Sequence, residues 1–206
     1  MGYFYKQRIL AVPVAGYEKD YKKLKKLLEK SVEKEDFSKL ENLMELDCYD
    51  ASVDTSEDYF VEATDEYCQF FIESSCAGEG FVCDAIRAIV EEFKVCVYNA
   101  YAEEEDNNDG IGIGITSFDS IDEYGELNLI SSFCGIDEKK INDGSWFDNC
   151  KLPDELGSEK METILARIGS LAWDNGYEDD GYKYESSEDA LQCFKKIATD
   201  LNMIPA

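Results

Sequence analysis

The stretch from Cys68 to Phe118 constrains the fold more than any other part of this chain. Within it, Val82, Ala85, Ile86, Ile89, Val90 and Phe93 recur at i, i+3, i+4, i+7, i+8 and i+11. That is one continuous apolar stripe on an α-helix. The run before it, CQFFIESS, reads as a strand. After it, Val95, Val97 and Asn99 alternate with Cys96, Tyr98 and Ala100, the period of a strand with two distinct faces. Asp106-Asn107-Asn108-Asp109-Gly110 is strong turn chemistry, because Asn, Asp and Gly tolerate positive φ. Ile111, Ile113 and Ile115 then alternate with Gly112 and Gly114, completing a β-hairpin. The alternating glycines imply that a backbone or a bulky neighbour closely approaches one face of that strand. Strand, helix and long hairpin in this order specify an α+β protein built on an antiparallel sheet.

The rest of the chain extends this unit. Residues 7–15 read as a first strand, with Pro13 marking an edge or an end. Residues 17–32 predict a helix whose inner stripe is Tyr17, Tyr21, Leu24, Leu27, Leu28 and Val32 and whose outer face is rich in lysine. A short helix is expected over residues 37–46. An acidic loop follows over 47–66, with a strand or helical turn near Tyr59 to Ala63. Glu126 to Phe133 alternates like a strand, and 134–157 is irregular. Helices are expected over residues 158–173 and again after Ser186, where Asp189 stands three residues on as an acidic capping partner. The predicted architecture is an antiparallel sheet with helices packed on one face. It is a βαββ unit over residues 1–134 plus a helical C-terminal extension over 135–206 packed on it, or a single domain of 1–206.

The chemistry available is narrowed by what the composition lacks. The 206 residues contain no histidine. That excludes Ser-His-Asp and Cys-His nucleophile activation, histidine metal sites and histidine acid–base catalysis. Eight cysteines occur, none in C-x-x-C spacing, and no signal-peptide h-region or membrane-length apolar run is present. Buried, reduced thiols in a cytoplasmic protein are therefore expected. Glu105, Asn107, Asp109 and Gly110 match the opening of a calcium loop, but its twelfth position is Thr116 and its flanks are strands, so a hairpin turn is the expectation. Gly110, Gly112 and Gly114 form G-x-G-x-G and open no helix, so they are not a phosphate-binding loop. With 46 Asp and Glu, a carboxylate pair has no specificity as an acid–base couple. No cofactor, metal or catalytic residue is expected.

The order of elements, a first strand feeding a lysine-rich helix, then FFIESS…AIRAIVEEFKVCVYNAY, resembles a ferredoxin-like βαββαβ unit. It is similar to small ferredoxin-like proteins encoded by phages and plasmids, from Tyr3 to Leu129. The Trp-Gly-rich stretch associated with that family is missing, and the resemblance transfers no functional residues.

Charge carries the functional expectation. The net formal charge is −26; residues 1–34 hold nine Lys and Arg against four Asp and Glu, or +5, so the remaining 172 residues carry −31. Such a surface repels nucleic acid and anionic membranes and attracts basic partners. The leading expectation is a non-enzymatic, cytoplasmic binding protein that blocks the basic nucleic-acid-binding surface of a partner such as a nuclease. Phage anti-defence (anti-CRISPR) inhibitors, DNA mimics and nuclease immunity proteins work in this way. The alternatives are an acidic structural or protein-interaction domain and, third, a carboxylate-based hydrolase. The residues expected to face the partner lie in turns: Glu103, Glu104, Glu105, Asp106 and Asp109 at the hairpin tip, and Asp119, Asp122 and Glu123 after it. Glu178, Asp179 and Asp180 with Tyr182 and Tyr184 form the third group, where tyrosine adds interface character. The lysines of residues 19–30 are expected to pair with acidic neighbours.

Overall fold

A computed structural model describes residues 4–55, 61–74, 79–104, 110–118, 134–137, 158–173 and 187–200. The elements are β1 (Phe4–Pro13), α1 (Glu18–Lys34), α2 (Ser38–Leu43), a 3-10 turn (Leu46–Tyr49), β2 (Ala51–Val53), β3 (Glu62–Ala63), β4 (Cys68–Ser74), α3 (Glu79–Phe93), β5 (Val95–Glu104), β6 (Gly110–Ser117), β7 (Cys134–Asp137), α4 (Ser158–Trp173) and α5 (Ser187–Asp200). The expected Glu126–Phe133 strand lies outside the described residues. β7 falls where irregular chain was expected, β2 falls within the acidic segment read as loop, and β3 falls where a strand or helical turn was expected near Tyr59 to Ala63.

All strand pairs are antiparallel, in the order β2-β4-β1-β5-β6-β7, with β3 pairing β4 as well. β4 lies between β1 and β2, and β1 lies between β4 and β5. Each of the connections β1-α1-β2 and β4-α3-β5 therefore spans one intervening strand. These two split β–α–β units give the ferredoxin-like order β5-β1-β4-β2, and β6 and β7 extend it beyond β5. Pro13 ends β1 opposite Val95, where its missing N–H removes no interior ladder bond.

The alternation along the central strands sends side chains to two separate cores. Ile9, Ala11, Cys68, Phe70, Ile72, Val95 and Val97 share one cluster with Tyr21, Leu24 and Leu28 of α1 and Ala85, Ile86, Ile89, Val90 and Phe93 of α3. Leu10, Ala100, Ala102 and Ile113 share the other with Ile164, Ile168, Leu171 and Ala172 of α4 and Ala190, Leu191, Phe194 and Ile197 of α5. The α+β class and antiparallel sheet are as the sequence implies. The one-face placement holds for α1–α3, whereas α4 and α5 cover the opposite face, so the sheet is sandwiched between two helical layers. The 134/135 join falls inside β7. Val32, placed on the inner stripe of α1 by its spacing, is 49% exposed; α1 outruns the sheet there and ends in a left-handed Glu35 whose N–H reaches the carbonyls of Ser31 and Val32.

The glycine alternation in β6 has a direct cause. Gly112 pairs with Tyr101 and Gly114 with Asn99 across the ladder. A Cβ on Gly112 would lie 1.9 Å from the Tyr101 ring, and one on Gly114 would lie 2.5 Å from the Asn99 side-chain oxygen. The two side chains fold across the strand in the space that a side chain on β6 would fill. No helix among the described residues is long and apolar enough to cross a membrane.

Candidate interaction surface

The β5–β6 hairpin is the scaffold on which the sequence places its first acidic group. Its ladder runs from Glu103 opposite Gly110 to Cys96 opposite Ser117. Glu103 and Glu104 belong to the last turn of pairing, where their backbones also face Tyr5 and Phe4 of β1. Glu105, Asp106 and Asp109 lie outside the described residues, as do Asp119, Asp122, Glu123, Glu178, Asp179, Asp180, Tyr182 and Tyr184. The ladder fixes one relation among these groups. The chain leaves it after Glu104 at one end and after Phe118 at the other, where Phe118 N–H donates to the Val95 carbonyl at 3.2 Å. Eight paired rows at about 3.4 Å per residue set those ends roughly 24 Å apart. The 103–109 and 119–123 groups are thus tethered to opposite ends of one hairpin rather than to a single turn.

Among the described residues, the exposed charge on the α1–α3 side is mixed on each helix, mostly acidic on α3 and mostly basic on α1, where Glu18, Glu29 and Glu33 are interleaved with the lysines. α3 turns Asp84, Glu91 and Glu92 to solvent, with Arg87 Nε on Glu91 at 2.7 Å and the Tyr49 hydroxyl donating to Asp84 at 3.4 Å. α1 turns out Lys19, Lys22, Lys26 and Lys30, all exposed. The expected self-neutralisation of α1 happens only on its flanks. Lys23 reaches Asp20 at 2.6 Å, and Lys25 reaches Asp65 at 2.7 Å and Glu29 at 3.8 Å. The hydrogen bond from Lys23 holds Asp20 below the usual carboxylate range, and that from Lys25 does the same for Asp65. Lys19, Lys22, Lys26 and Lys30 make no ion pair with any described residue. They stand at i, i+3, i+7 and i+11 opposite the buried stripe, and Lys22 still acts electrostatically on Asp65 and Glu18. Like charges one turn apart weaken a helix by about 0.2–0.5 kcal/mol per pair. The signal was present in the sequence as spacing, but which lysines would meet a carboxylate depended on where the residue 64–66 turn packs.

The second sheet face carries charge of a different kind, buried rather than displayed. Lys6 Nζ donates to Asp54 Oδ2 at 2.6 Å, with both side chains nearly fully buried, and Glu73 stands at 4.0 Å. Fully buried Arg8 donates from Nε to the Leu171 carbonyl at 2.6 Å and from Nη1 to Gln69 Oε1 at 3.1 Å. Its guanidinium also lies 4.7 Å from the centroid of the Phe71 ring. Leu171 is in the last turn of α4, so Arg8 places a cation on a carbonyl at the negative end of the helix dipole. The Arg8 contact docks α4, and the Lys6 pair ties β1 to the end of β2.

Cys48, Cys68, Cys96 and Cys193 are free thiols. Cys68 is fully buried beneath α1 and donates to the Tyr21 hydroxyl at 3.4 Å, and that hydroxyl donates to the Thr64 carbonyl at 3.0 Å. Burial pushes the Cys68 thiol up to about 11. A thiol held neutral in this way is a poor nucleophile. The chain matches no protein-family model, no curated protein and no solved structure.

Proposed function

We propose that this protein is a non-enzymatic binding protein whose acidic surface occupies the basic, nucleic-acid-binding surface of a partner, in the manner of a DNA mimic, a phage anti-defence inhibitor or a nuclease immunity protein. The observation that carries this reading is the charge asymmetry: −31 over the 172 residues that follow Lys34. Duplex DNA presents one charge per about 1.7 Å of axis, so a competitor for the same site needs dense carboxylates at the surface. Surface carboxylates are already hydrated and need not be desolvated at the rim of an interface, which favours fast, steered association. Two further features support the reading. The hairpin that carries Glu103 and Glu104 is anchored against the centre of the sheet through β1, so charges tethered to it sit on a rigid support. The sheet itself is covered on both faces, so its interior offers no open platform and the partner must be met at the periphery.

The test is competition. A candidate nuclease recovered from the host is bound to labelled nucleic acid, and the protein is added at two salt concentrations. Displacement that weakens as salt screens the encounter supports the reading. Neutralising Glu103, Glu104, Glu105 and Asp106 together should slow association without changing the melting temperature if the hairpin tip is in the interface. A recovered partner that binds without salt dependence, or that keeps its nucleic acid when saturated, contradicts it.

A further inference from the structure

We draw no further inference here: the strongest candidate, the buried amide cluster of Gln7 and Asn99 on the α1–α3 face of the sheet, where Gln7 Nε2 and Oε1 and Asn99 Nδ2 make no hydrogen bond, is closed from solvent, and nothing in the structure shows what ligand would satisfy it.

Discussion

The two faces of the sheet are closed by different physics. On the α1–α3 face, apolar side chains from β1, β4 and β5 meet apolar stripes from two helices, and hydrophobic burial is the driving force. On the α4–α5 face the apolar contribution of the sheet is smaller, and two cations of β1 lie buried, Lys6 against Asp54 and Arg8 beside Phe71 and Gln69 of β4. There the fit depends on each charge finding its partner, because a buried polar group left unmade is expensive. The first face tolerates variation in which apolar residue fills it; the second is specified by a few directional contacts. Gln69 sharpens the contrast: its side-chain oxygen accepts from Arg8, while its nitrogen is buried without a partner.

Three perturbations separate these mechanisms, in falling order of effect. Arg8→Ala removes the cation on Leu171, strands the Gln69 oxygen and leaves a void beside Phe71. The expected destabilisation is about 3–5 kcal/mol by denaturant titration; a change below about 1 kcal/mol would mean that the second face holds by apolar burial alone. Gly112→Ala acts on the first face, where the added Cβ would meet the buried Tyr101 ring at 1.9 Å. It should destabilise by about 1–3 kcal/mol through overpacking, and a Tyr101→Ala background should relieve most of the clash. The smallest effect is a pH response. Cys68 is raised in the folded chain from 9.0 to about 11, chiefly by burial. Its contribution is therefore intact below pH 9 and is lost as pH rises towards 11, while the unfolded chain sheds its proton first. At pH 10 the loss is about 1 kcal/mol. Tyr67 and Tyr98, each pushed up to about 12 by burial, add to the same alkaline decline at higher pH. Cys68→Ser should flatten the stability profile between pH 9 and 11, whatever its effect at pH 7.

What could be read in the sequence follows the same division. The helix over 158–173, the stripe of α3 and the inside–outside alternation of β5 were legible because apolar period alone decides them. The β6 glycines announced a close approach, and Tyr101 and Asn99 provide it. β2 was illegible because three residues, Ala51–Val53, carry too little period to stand out from an acidic segment; the strand exists because β4 offers an edge there. The second helical layer was illegible as a layer. Lys6 and Arg8, seen in sequence, look like the polar outer positions of a strand with one wet face. Their burial depends on Leu171, 163 positions beyond Arg8, and on Asp54, 48 beyond Lys6. The lysines of α1 were visible as spacing, but that Lys25 would reach Asp65 was not, since that is set by the tertiary placement of the residue 64–66 turn. Most of the acidic residues singled out for partner binding lie outside the described residues, so they rest on composition and turn chemistry.

The claim that two faces are held by separate mechanisms is tested most directly by hydrogen–deuterium exchange on Arg8→Ala under native conditions. If Arg8 is what fastens α4 to the sheet, exchange should rise in α4 and α5 while α1, α3 and the β1–β4 ladder keep their protection. Exchange rising equally in α1 and α3, or remaining unchanged in α4, would contradict the account.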